Sequence, residues 1–124
     1  MRARLARQRI LIADDNVDAA AALAMLLESA GYEVHTASDG RQALDEARRL
    51  HPDAILLDIA MPFLRGDEVC RTLREEAWAE DVLIAALTGF SGPQDRRLSE
   101  EAGFDHHLVK PVDPRTIHAL LQAR

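Results

Sequence analysis

Ile10-Leu11-Ile12-Ala13-Asp14-Asp15 and Ala54-Ile55-Leu56-Leu57-Asp58 share one design: a short, unbroken apolar run that stops on aspartate. Such a run marks a strand buried on both faces, the kind found in parallel sheets. Open α/β sheets bind ligands beyond the carboxyl ends of their strands. The pattern therefore predicts three carboxylates converging at one rim. Two further runs end on polar groups. Val82-Leu83-Ile84-Ala85-Ala86-Leu87 stops on Thr88, and Leu108-Val109 stops on Lys110. Lys110 is the single lysine among 15 basic residues, so a chain that otherwise uses arginine keeps one compact ammonium at a strand end.

Outward from these runs the chain alternates. Strands are predicted at 9–14, 33–37, 54–58, 82–87 and 106–110, and helices at 17–30, 40–50, 65–77, 93–102 and 114–122. Five strands alternating with five helices predict an α/β fold with a parallel sheet and right-handed crossovers. Helix ends carry matching signals. Asn16 suits an N-cap and Asp18 the first turn of the first helix, whose Leu23, Leu26, Leu27 and Ala30 recur at helical spacing before Gly31 stops it. Asp113 and Pro114 open the last helix, and Gly103 closes the fourth.

The length, 124 residues, suits one domain, expected over 9–124 behind a basic tail at 1–8. A net charge of −6 argues against direct nucleic-acid contact. The basic start precedes only four apolar residues, too few for a signal-peptide core or a membrane span. A lone cysteine, Cys70, excludes an internal disulfide and suits the cytoplasm. Its place within the third helix suggests core filler rather than a reactive thiol.

Three clustered aspartates repel one another unless a cation sits among them. An all-oxygen site of this kind suits Mg²⁺, which keeps several waters and shares a phosphate. Phosphoryl transfer would use every part: metal and lysine neutralise the moving group, one carboxylate attacks, and the Thr88 hydroxyl holds another phosphoryl oxygen. Taken singly, each residue has a plainer reading, as a helix cap, a loop acid, a turn residue or a solvated charge. Their joint placement at strand ends favours the site.

These residues resemble the receiver domain of two-component response regulators. The matching stretches are Asp14-Asp15-Asn16, Leu56-Leu57-Asp58-Ile59-Ala60-Met61-Pro62, Arg65-Gly66, Ala86-Leu87-Thr88-Gly89, Ala102-Gly103 and Val109-Lys110-Pro111. The resemblance spans essentially the whole chain. It implies the flavodoxin-like doubly wound fold, strand order 2-1-3-4-5. It makes Asp58 the phosphoacceptor, and it gives Mg²⁺ the carboxylates of Asp14, Asp15 and Asp58 with the backbone carbonyl of Ala60. Lys110 would contact the phosphoryl group, Thr88 would be the switch hydroxyl, and Pro111 would follow a cis peptide bond. The implied donor is a histidine kinase or a phosphotransfer protein. The implied output is a protein effector, with no DNA-binding domain and no membrane contact, and a dimer formed on phosphorylation is left open. Such a chain is a signalling module rather than an enzyme.

The departures from the family pattern matter. The switch aromatic, three residues before the lysine, is His107 here. It either fills the same space or makes coupling weaker or pH-dependent. Ala60 and Phe90, two residues past Asp58 and Thr88, cannot orient a hydrolytic water, so slow self-dephosphorylation is expected. His106 and His107 are neighbours on a strand and point to opposite faces, which excludes a shared metal. Trp78 is expected in a loop and carries no assigned role. In the family the first helix docks the kinase, which makes Val17, Ala21 and Met25 candidates, although small residues there also suit packing on the sheet.

Other functions fit less well. A haloacid-dehalogenase-type phosphohydrolase needs an acid two positions past its nucleophile, where this chain has Ala60. A flavodoxin phosphate loop would be repelled by Asp14-Asp15. A receiver that has lost phosphorylation would not keep every key residue. The wording of Asp58-Ile59-Ala60-Met61-Pro62 and Ala86-Leu87-Thr88-Gly89-Phe90 resembles receivers of hybrid kinases. A stand-alone regulator and an excised receiver both remain open readings.

Overall fold

Five strands form one sheet: β1 (Arg9–Ala13), β2 (Glu33–Ala37), β3 (Ala54–Asp58), β4 (Leu83–Thr88) and β5 (His106–Val109). Their spatial order is β2-β1-β3-β4-β5, and every neighbouring pair is parallel, as expected of a doubly wound fold. The computed structural model describes residues 8–89, 97 and 100–123. The helices are α1 (Val17–Ser29), α2 (Gly40–Leu50), α3 (Gly66–Arg74) and α4 (Pro114–Gln122). The helix predicted at 93–102 lies mostly outside the described residues, although Arg97 and 100–102 are helical. Most of the basic tail, 1–7, and Phe90 also lie outside them. No described helix is long and apolar enough to cross a membrane.

Because strand side chains alternate, the two faces of the sheet bury separate sets. Leu11, Ala13, Ile55, Leu57, Ile84 and Ala86 meet Ala43, Leu44, Ala47 and Leu50 of α2 and Val69, Cys70 and Leu73 of α3. Ile10, Ile12, Ala54, Leu56, Leu83, Ala85 and Leu87 meet Ala20, Ala24 and Leu27 of α1 and Ile117 and Leu121 of α4. Burial pushes the Cys70 thiol up to about 12, so it stays protonated at neutral pH and acts as packing.

The two predicted caps form: Asn16 accepts the Ala19 N–H at 3.0 Å, and Asp113 accepts that of Arg115 at 2.8 Å. A third cap was not foreseen: Asp39 accepts the Gln42 N–H at 2.8 Å at the start of α2. Gly31 ends α1 in the left-handed region at φ +103°. Strands β1, β4 and β5 each differ by one residue from expectation, which places Asp14 and Lys110 just beyond the sheet and Thr88 at its last position.

The third helix departs further. It stops at Arg74 rather than 77, and Ala77–Ala79 form a 3₁₀ turn that holds Trp78, expected in a loop. Two sets of contacts account for this, one around Trp78 and one around Arg74. Trp78 stacks on His51, with ring centroids 4.1 Å apart, and donates its indole N–H to Glu76 at 2.8 Å. Arg74 donates to the carbonyls of Ala79, Val82 and Gly103 at 2.8–2.9 Å and to the Asp105 carboxylate at 2.8 Å. Continuing the helix would undo this web.

Candidate functional site

Register builds the site. Ala13 pairs with Leu57, so the next residues, Asp14 and Asp58, leave neighbouring strands side by side. Asp58 pairs with Leu87 and Thr88 pairs with Val109, which brings Thr88 and Lys110 to the same rim. The Lys110 N–H donates to the Thr88 carbonyl at 2.7 Å.

Asp14 and Asp58 are buried, 4% and 5% exposed, while Asp15 is exposed. One carboxylate oxygen from each of the three lies within 4.8 Å of the others. The Lys110 ammonium sits 3.0 Å from Asp14 Oδ2 and 3.0 Å from Asp58 Oδ2. Burial pulls the Lys110 pKa down, but hydrogen bonds and charge from Asp14 and Asp58 outweigh it and hold the group above the ordinary lysine value. The remaining oxygens are held by backbone: the Asn16 N–H reaches Asp14 Oδ1 at 2.9 Å, and the Ala60 N–H reaches Asp58 Oδ1 at 3.0 Å. Asn16 thus serves both the α1 cap and the site.

Two glycines close the loop after β3, and the sequence reading gave neither a part in the site. A Cβ on Gly66 would lie 2.4 Å from the Asp58 carbonyl oxygen, and one on Gly40 would lie 1.9 Å from that of Leu64. Backbone therefore packs on backbone around Asp58 and the loop that follows it. The sequence signal available was a glycine at the first position of each helix, where glycine has no helical advantage.

The other expected residues fall as follows. Ala60 is exposed in the loop after β3. Lys110-Pro111 is cis. His107 is half-buried on β5 opposite Ala86, on the face of the sheet that also carries Thr88. Among the described residues, Asp14, Asp15 and Asp58 are the one group able to hold a metal ion, and neither His106 nor His107 belongs to it. Val17 and Met25 are 62% and 67% exposed, and Ala21 is exposed too, so these α1 positions do not pack on the sheet.

The donor set fits a hard divalent cation. All ligand atoms are oxygens, and three carboxylates against one ammonium leave two negative charges in the cluster.

Comparison with known proteins agrees. The family model described as the response regulator receiver domain matches residues 10–122. The DNA-binding response regulator MtrA of Mycobacterium tuberculosis is 38% identical over 118 residues, 95% of this chain and 50% of MtrA. The alkaline phosphatase synthesis transcriptional regulatory protein PhoP of Bacillus subtilis is 39% identical over 116 residues, 94% of this chain and 48% of PhoP. The chain thus spans about half the length of these relatives, and the expectation of a regulator without DNA-binding output gains no support from them. Among solved structures, the Vibrio cholerae chemotaxis protein CheY4 superposes with a TM-score of 0.88 at 33% identity, covering 95% of this chain and 98% of CheY4. The receiver domain of the sensor histidine kinase PA1611 of Pseudomonas aeruginosa, with a magnesium ion coordinated in its active-site cleft, superposes at 0.86 with 35% identity, covering 95% and 97%. On its fold, its rim of acids and this match over nearly its full length, the chain belongs to the receiver-domain family of two-component response regulators.

Proposed function

We propose that Asp58 accepts a phosphoryl group from the phosphohistidine of a histidine kinase or phosphotransfer protein, in a reaction that needs Mg²⁺. The observation that carries this reading is the shared ammonium: Lys110 lies 3.0 Å from both Asp14 and Asp58 at the mouth of an acidic cluster. An Asp58 carboxylate oxygen attacks phosphorus, the P–N bond breaks, and the donor imidazole keeps the electron pair. Asp14, Asp15, Asp58 and the Ala60 carbonyl would hold the metal, which supplies charge neutralisation for the moving group. Lys110, 3.0 Å from Asp58 and partly buried, stabilises the same group where its charge counts for more than in bulk water.

Thr88, at the last position of β4, is the hydroxyl that turns toward the acyl phosphate, and His107 on the same face fills the space beside it. The change biases a two-state surface that a protein partner reads. A net charge of −6 disfavours DNA contact by this chain itself. Its output is then a protein contact, and a cytosolic place of action suits both the donor class and a buried, protonated Cys70.

Incubation with acetyl phosphate and Mg²⁺, read by intact mass, tests the reading. One phosphoryl group is gained by the wild type and none by Asp58→Asn or in EDTA. The adduct decays slowly, because Ala60 offers no polar side chain to a hydrolytic water, and Ala60→Asn shortens its life. Labelling that survives Asp58→Asn would refute the assignment.

A further inference from the structure

Phe63 stands five residues past Asp58 and is 88% exposed. Its φ is +69°, a left-handed backbone that bulky side chains rarely adopt. The Leu64 N–H donates to the Pro62 carbonyl at 2.8 Å, closing a three-residue turn with Phe63 at its tip. With positive φ at the centre, this is the strained form of that turn. The surroundings fix it there. Met61 is buried, Leu64 packs against the core, and the Gly66 N–H donates to the Ile59 carbonyl at 3.0 Å. The Leu64 carbonyl lies against Gly40 with no room for a Cβ between them.

The loop therefore holds an aromatic ring out into solvent on a backbone that glycine or asparagine would adopt at less cost. Folding gains nothing from a ring so exposed. Strain maintained beneath an exposed side chain beside a reactive group points to an encounter with another molecule. A second feature agrees. Val17, 62% exposed, follows Asp14 by three residues as Phe63 follows Asp58 by five. Each thus follows one of the two carboxylates that share Lys110, Phe63 in the loop after β3 and Val17 at the first residue of α1, so exposed apolar side chains rim the charged cluster from two elements. A small phosphodonor has no use for such a rim, whereas a protein docking over the pocket buries it. Exposed aromatics are the residues that most often dominate such contacts.

We infer that Phe63 is a specificity-determining anchor for the protein that delivers phosphohistidine to Asp58, an inference that rests on the acceptor reading above. The test separates a protein donor from a small one. Purified histidine-kinase cores, autophosphorylated with ³²P-labelled ATP, are screened as a panel for transfer to the chain, and the fastest donor serves as probe. Phe63→Gly and Phe63→Asn are expected to lower kcat/KM for that donor by about tenfold or more, mainly through KM. Phe63→Tyr keeps the wild-type value. With acetyl phosphate all three variants label at the wild-type rate, and the glycine and asparagine variants melt no lower than wild type.

Normal transfer to Phe63→Gly overturns the inference. So does a parallel loss with acetyl phosphate, which would make the ring merely structural. So does normal transfer combined with lost self-association of the phosphorylated protein, which would assign the tip to a second copy of the chain. Wild type labelled by acetyl phosphate but by no kinase in the panel overturns the protein-donor assignment. Wild type labelled by neither removes the acceptor reading itself.

Discussion

Lys110 balances two buried carboxylates with one ammonium, and that arithmetic makes its replacement informative. Lys110→Met keeps the stem and deletes the charge. Without divalent ion, Asp14 and Asp58 then face each other uncompensated, so the urea midpoint falls. Mg²⁺ meets one less competing positive charge, and its affinity rises by about fivefold, the factor that roughly 1 kcal/mol of removed repulsion gives at a half-wet site. Phosphorylation by acetyl phosphate nevertheless slows by about tenfold or more, because the moving group has lost a fixed cation. Lys110→Arg does not restore the rate, since a planar fork cannot take the place of a point charge bridging two oxygens. Isothermal titration with Mg²⁺ and timed intact mass measure both; unchanged values in both would make Lys110 a solvated bystander. The placement of Lys110 beside the acids was legible in the sequence because it is the single lysine and stands at a strand end. The strain at Phe63 was not, because Pro62-Phe63-Leu64 contains no glycine or asparagine to announce a positive φ.

Strands and caps carried most of the legible fold. Continuous apolar runs marked β1, β3 and β4, since strands buried on both faces have no polar positions to blur them, and Asn16 and Asp113 fixed where their helices start. The end of α3 was illegible, because Glu75 and Glu76 suit a helix locally and what stops it is a tertiary web on Arg74 and a ring stack on His51. The close approach of α2 to the loop after β3 was equally hidden. Gly40 opens α2 where any helix former would serve, yet a methyl there would meet the Leu64 carbonyl oxygen at 1.9 Å. Gly40→Ala must therefore push the loop or the helix away. Overpacking of this kind costs about 1–3 kcal/mol, read as a lower urea midpoint at unchanged slope. Because the same loop carries Ala60, Mg²⁺ affinity falls as well. A variant as stable as wild type that binds Mg²⁺ normally would show that the contact is slack.

Folding gathers Asp14, Asp15 and Asp58 to within 4.8 Å, whereas in the unfolded chain more than forty residues separate the first pair from the third. A divalent cation that needs all three binds the folded state alone, and linkage then turns binding into stability. Above its dissociation constant, each tenfold rise in Mg²⁺ adds about 1.4 kcal/mol, which for a domain of this size raises Tm by about 3–6 °C. Sodium chloride at matched ionic strength screens the net charge of −6 but cannot bridge three carboxylates, so it gives a smaller and saturating rise. Asp15→Asn removes the exposed ligand without touching the Lys110 pairs, and it moves the Mg²⁺ response to higher concentration while leaving the metal-free Tm nearly unchanged. Differential scanning calorimetry across a Mg²⁺ series, with EDTA as reference, decides the matter. A Tm that follows ionic strength alone, whichever cation supplies it, would mean that the three acids meet at the rim without forming a metal site.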